Sequence, residues 1–207
     1  MVKPMIRRNI RGFSLLEMMI VIGIIMILCA ISFVSLQPVL RSTRSQTAYN
    51  ETLNTMRQAR ALAATQRKTY CLQFTAPRTM QLWRQDPAVA PNPAPPPVLV
   101  STNILPWDMQ FYINSPAPAT PPDGFSGAQA INFDVSNHVS SDHLYFYPDG
   151  SVRNRWTSGQ ISDGVVYIAR PGDTPSFQAI SIYGASGILH GWKFLQPTSG
   201  GSVWRPQ

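Results

Sequence analysis

The apolar positions change their spacing twice along the chain, and each change marks a boundary. From Phe13 to Leu36 almost every residue is apolar, over 24 residues. A helix of that length can cross about 30 Å of hydrocarbon with some tilt. From Arg41 to Lys68 the composition still favours helix, rich in Ala, Gln, Arg and Thr and without proline. Its apolar residues now fall at three- and four-residue spacing: Tyr49, Leu53, Met56, Ala59 or Ala63, and Leu62. One such stripe predicts packing against a sheet of the same domain. Beyond Lys68 the period becomes 2, with Tyr70, Leu72 and Phe74 alternating with Thr69, Cys71 and Gln73. Pro77-Arg78 then turns into a second alternating run, Thr79–Trp83, which predicts a hairpin.

Shorter strand candidates follow at Gln110–Ile113, Ala130–Val135 and Leu144–Tyr147. In Pro148-Asp149-Gly150 the proline suits the first central turn position and Asp-Gly gives a tight reversal. Val165–Arg170 reads as a strand, and Phe177–Tyr183, Gly184-Ala185-Ser186-Gly187 and Ile188–Phe194 read as an antiparallel hairpin. Two stretches, 86–97 and 116–122, are too proline-rich for strand or helix and are predicted as surface loops with polyproline character. The predicted organisation is therefore α+β. A leader covers 1–12, an apolar helix 13–37, its amphipathic continuation 38–68, and a β-rich head 69–207.

The formal charge of +7 suggests a nucleic-acid partner until it is divided along the chain. Lys3, Arg7, Arg8 and Arg11 lie in the leader, and Arg41, Arg44, Arg57, Arg60, Arg67 and Lys68 share the helical stretch with Glu51 alone. From Thr69 onward seven basic residues face eight acidic ones, a balance of about −1. The basic helix face reads as a solvated surface, with lipid headgroups as the alternative near its membrane end. Cys29 and Cys71 sit far apart along a largely helical stretch and lack metal-ligand spacing, so both are expected to be free thiols.

The four positive charges before Gly12, with no acid among them, orient an apolar helix with its amino terminus in the cytoplasm. No small-x-small cleavage site follows the run, which distinguishes it from a secretory signal peptide. Glu17 is the anomaly. A carboxylate in a membrane helix costs about 2.5–3.5 kcal/mol on insertion scales and calls for a partner. A cut between Gly12 and Phe13 would create an α-amine four residues before Glu17, one helical turn away. The amino terminus of a neighbouring chain would serve equally, and would make Glu17 a register pin between subunits.

Gly12-Phe13-Ser14-Leu15-Leu16-Glu17, with its basic leader and apolar helix, resembles the prepilin motif of type IV pilins and type II secretion pseudopilins. The resemblance implies a type IV pilin-like fold, cleavage after Gly12 by a prepilin peptidase, N-methylation of Phe13, and an assembly contact at Glu17. It implies as partners other pilin or pseudopilin subunits, an inner-membrane assembly platform and the lipid bilayer, with the head outside the cytoplasm. Many members carry a kinking proline about one turn before the position of Pro38. Val34 occupies that region here, so the kink is displaced to Pro38 or absent. Phe146-Tyr147-Pro148-Asp149-Gly150-Ser151 followed by a final hairpin resembles the H-type minor pseudopilins and T-type minor fimbrial pilins.

No catalytic constellation accompanies this pattern, and neither enzyme activity nor a cofactor is expected. There is no Gly-x-Ser-x-Gly, phosphate loop or dinucleotide fingerprint. His138 and His143, with Asp134 and Asp142, are read as solvated loop residues rather than metal ligands, and His190 stands apart. One cationic and aromatic set remains: Arg153, Arg155 and Trp156 after the Asp-Gly turn, and Trp192, Lys193, Trp204 and Arg205 near the end. Converged, these side chains would suit a nucleic-acid backbone and bases. Some T-type minor pilins bind DNA through arginines near the carboxyl end, so the resemblance makes these residues candidate DNA contacts. The competing expectation is that the tryptophans pack the hairpin.

Overall fold

The computed structural model describes residues 13–85, 97–113, 123–125, 129–133, 142–154, 159–195 and 203–207. The expected loops 86–97 (apart from Pro97) and 116–122 lie outside these residues, as do Gly12, Asp134, His138, Arg155 and Trp156. By its internal contacts the chain divides into two units, Met1–Arg41 and Ser42–Gln207. A single 52-residue helix, α1 (Leu15–Gln66), belongs to both.

Within the first unit the apolar side chains of α1 are exposed all round among the described residues. Leu15, Leu16, Met19, Met26, Ile27, Ile31 and Phe33 are all exposed. The most apolar 18-residue window has a mean hydropathy of 2.9, and none of it is buried. By length and composition this helix can cross a membrane. Ser32 satisfies its hydroxyl within the helix, donating to the Leu28 carbonyl at 2.8 Å. Pro38 lies inside α1 and does not end it.

In the second unit the expected stripe is buried. Tyr49, Leu53, Met56, Ala59 and Ala63 form the helical side of a hydrophobic core. Polar residues beside them are satisfied locally: Thr52 donates to the Ala48 carbonyl (2.9 Å) and Thr55 to the Glu51 carbonyl (2.7 Å). The helix ends at Gln66, and Arg67 follows with φ 52°, a left-handed residue of the kind that closes helices.

Eleven strands follow among the described residues: β1 (Thr69–Thr75), β2 (Thr79–Gln85), β3 (Val98–Ile104), β4 (Gln110–Phe111), β5 (Ile131–Phe133), β6 (His143–Phe146), β7 (Val152–Arg153), β8 (Gly164–Arg170), β9 (Asp173–Tyr183), β10 (Ile188–Leu195) and β11 (Val203–Pro206). One sheet has the order β3-β2-β1-β6-β7 and the other β11-β10-β9-β8-β4, with β5 also paired to β8. Every strand pairing is antiparallel. The β1–β2 hairpin falls where the alternation placed it, and the β9–β10 hairpin where two apolar runs flank the Gly184–Gly187 turn.

Tyr70, Leu72 and Phe74 of β1 and Met80 and Leu82 of β2 join the α1 stripe in the first core. The second sheet is buried on both faces. Val166, Ile168, Ile180 and Ile182 belong to that core, whereas Val165, Tyr167, Ala169, Phe177 and Ala179 join Trp192, Phe194 and Trp204 in a second cluster. This explains the unbroken apolar run Val165–Ala169, because a strand covered on both faces has no polar side to show.

Candidate functional site

The amino-terminal candidates sit where α1 begins. Phe13 and Ser14 precede the helix, and Glu17 lies in its first turn, exposed. The first helical hydrogen bond runs from the Met18 amide to the Ser14 carbonyl at 3.1 Å. Ser14 therefore holds the cap position, and Ser14-Leu15-Leu16-Glu17 has the Ser-x-x-Glu spacing of a capping box, a local signal for where the helix starts. The positive end of the helix dipole favours a carboxylate there. Phe13 is 75% exposed, so no core packing explains an aromatic residue at this position. Because regular helix begins only at Leu15, an intrachain pairing of the Phe13 amine with Glu17 requires two further residues to wind on after cleavage. A pairing between subunits has no such requirement.

The carboxyl-terminal candidates are distributed over both sheets. Arg153 is on β7, where its guanidinium lies 4.5 Å from the Tyr147 ring centroid and donates to Asp149 at 3.3 Å. Lys193 and Arg205 are cross-strand partners on β10 and β11. Trp192 and Trp204 are buried in the second cluster, so these two tryptophans pack against the hairpin. The Trp192 indole N–H donates to Asp123 (3.2 Å) and Ser181 (3.0 Å). Asp123 also accepts from the Tyr183 hydroxyl (2.9 Å) and the Ser181 hydroxyl, and His190 Nδ1 lies 3.3 Å away. Burial would raise the Asp123 carboxyl, but the Ser181 and Tyr183 hydrogen bonds, with His190 and Trp192, hold it below its ordinary value. His143 pairs with Asp142 at 2.5 Å and stacks on Tyr145. Among the described residues no three His, Cys, Asp or Glu side chains are grouped to hold a metal ion.

Two arginines of the helix face, Arg60 and Arg44, make contacts beyond solvent. Arg60 donates to the Ser186 carbonyl in the β9–β10 turn at 2.8 Å. Arg44 reaches Asp108 at 3.4 Å. Asp108 also accepts from Arg170 at 2.6 Å and 3.1 Å, while Arg170 bonds Asp173 at 2.8 Å. Burial works to raise the Asp108 carboxyl, yet the hydrogen bonds and charge of Arg170, aided by Arg44, hold it below the usual range. These partners lie more than sixty residues apart in sequence. No local pattern signals them.

Residues 7–33 match the prokaryotic N-terminal methylation motif. That motif is found in type IV pilins and pseudopilins, and it points to a type IV pilin-like protein processed by a prepilin peptidase. The long helix packed on antiparallel sheets is consistent with the same fold class. No curated protein and no solved structure matches the chain.

Proposed function

We propose that the chain is a minor subunit of a type IV pilus or type II secretion pseudopilus, acting in initiation or at the tip. The observation that carries this reading is the methylation motif at residues 7–33, continuous with a helix long and apolar enough to cross a membrane, whose most apolar window is unburied among the described residues. In the proposed sequence, prepilin peptidase hydrolyses the Gly12–Phe13 peptide bond, leaving a carboxylate on Gly12 and a free amine on Phe13. That amine is methylated and keeps its positive charge. Glu17 then pairs with the Phe13 amine of a neighbouring subunit as the helices bundle on the inner-membrane assembly platform.

The energies support this division of labour. Two unit charges about 4 Å apart attract by about 4 kcal/mol at an effective dielectric of about 20. That is comparable to the roughly 2.5–3.5 kcal/mol cost of placing the Glu17 carboxylate in lipid. Helix burial against other helices merely replaces lipid contacts. Register therefore rests on the ion pair, and the precursor, whose Phe13 nitrogen is an amide, is unable to form it.

Co-expression with and without the prepilin peptidase, followed by recovery of sheared filaments, tests the reading. Glu17→Ala should be cleaved like the wild type but be depleted from filaments at least several-fold. Recovery of Glu17→Ala at the wild-type level would contradict the pairing role.

A further inference from the structure

Within the second unit, β11 covers only part of one edge of β10. It pairs with Trp192–Leu195, and the last backbone bond on that edge runs from the Gln207 amide to the Gly191 carbonyl at 2.9 Å. On its other edge β10 pairs with β9 from Ile188 to Lys193. Residues two apart in a strand direct their backbone groups to the same edge, so the Leu189 amide and carbonyl face the way the Gly191 carbonyl does. Among the described residues no strand meets them there. An open edge of this kind is a template for another chain.

A groove lies beside that edge. α1 supplies Arg57, Arg60, Ala61 and Ala64, β10 supplies Ile188 and Leu189, and the space between them is about 720 Å³. A smaller cavity of about 250 Å³ shares Arg57 and Leu189 and reaches Gln207. The larger one has the size of a ligand site. Its charge is one-sided. Arg57 and Arg60 are three residues apart on α1 and therefore neighbours on one helix face. The bond that Arg60 donates goes to the neutral Ser186 carbonyl, and Arg57 has no carboxylate partner among the described residues. Asp149, the acid on the rim, is already held by the Ser151 amide at 2.9 Å and by Arg153 at 3.3 Å.

We propose that this groove binds an extended acidic peptide segment of a partner protein, added as a strand to the open edge of β10 with a carboxylate on Arg57 and Arg60. The two features select the same ligand. An open backbone amide and carbonyl call for another backbone, and paired guanidinium forks call for a carboxylate. Ile188, which is 47% exposed, with Ala61 and Ala64, offers apolar surface to the side chains of such a strand. A nucleic acid would satisfy the arginines but has no alternating amide donors and carbonyl acceptors for the β10 edge.

The test is fluorescence anisotropy of labelled Thr-Val-Thr-Glu-Thr-Val, and of its counterpart with Gln in place of Glu, titrated with the full chain in detergent. The Glu peptide should bind saturably and about tenfold more tightly than the Gln peptide. Arg57 is exposed, so Arg57→Gln should keep the wild-type urea midpoint and abolish that preference. Two further versions of the Glu peptide are N-methylated on one or the other alternate set of backbone nitrogens. The version blocked on the side facing β10 should bind at least about tenfold more weakly than the other. Absence of saturable binding, equal binding of the Glu and Gln peptides, or a preference that survives Arg57→Gln overturns the proposal. Undiminished binding of both N-methylated versions overturns the strand addition, and with it the proposal. Displacement of the Glu peptide by an oligothymidylate that itself binds more tightly overturns it in favour of a nucleic-acid ligand.

Discussion

Gly191→Ala gives the docking of α1 on the second sheet a test whose sign decides the result. Gly191 lies on β10, and a Cβ built there would overlap the Tyr49 hydroxyl oxygen and stand 2.7 Å from its ring Cζ. Tyr49 is 4% exposed and belongs to the α1 stripe, so the ring has little freedom to withdraw. Overpacking a core costs about 1–3 kcal/mol. Without the overlap, alanine in place of glycine within a strand would instead stabilise by about 0.5–1 kcal/mol. Urea unfolding of the full chain in detergent, followed by tryptophan emission, reads the difference. With a slope of about 1–3 kcal/mol per molar urea, the midpoint should fall by about 1 M. Tyr49→Phe in the same background removes the hydroxyl but not the contact at Cζ, so its midpoint should lie between the two. A midpoint that rises in Gly191→Ala would refute the placement of Tyr49 over β10, and with it the packing described for this part of α1.

Two further predictions concern titratable groups. Burial pushes the Cys71 thiol up to about 12, against a lowering hydrogen bond from Tyr145, so Cys71 should resist alkylation in the folded protein and react fully once unfolded; rapid native labelling would contradict its burial. Asp108 is held below its ordinary value when folded, so its contribution to stability is complete above the unfolded value of about 3.9 and is lost as the pH falls through the folded one. Asp108→Asn should therefore flatten part of the acid loss of stability below about pH 4, and an unchanged acid limb would contradict the network around it.

The parts of the molecule legible in the sequence are those whose patterns are local. The α1 stripe from Tyr49 to Ala63 shows because one face of a helix meets one core. β1, β2, β9 and β10 show through alternation or through a glycine-bearing turn between apolar runs. β3 carries no such pattern. Val98, Leu99 and Val100 are consecutive, exposed and on an edge strand, and a register shift opposite Leu82/Trp83 breaks the alternation. β7 and β11 are too short to carry a period, although Trp204 of β11 helps fill the second cluster. That second cluster had a signal, the unbroken run Val165–Ala169, which reads as burial on both faces. The Arg44–Asp108–Arg170 network and the Asp123 hub had none, since each joins residues from distant stretches of chain. The amino-terminal candidates were readable for the opposite reason. Glycine, phenylalanine and glutamate at fixed spacing lie within six residues, at the start of a helix long and apolar enough to cross a membrane.

Cleavage at Gly12–Phe13 is what would create the partner for Glu17. Intact-mass and fragment-ion measurement of the protein purified from membranes containing a prepilin peptidase tests this most directly. The predicted result is a chain that begins at Phe13 and carries one additional methyl group on its α-nitrogen. A chain that still begins at Met1 under those conditions would contradict the central claim.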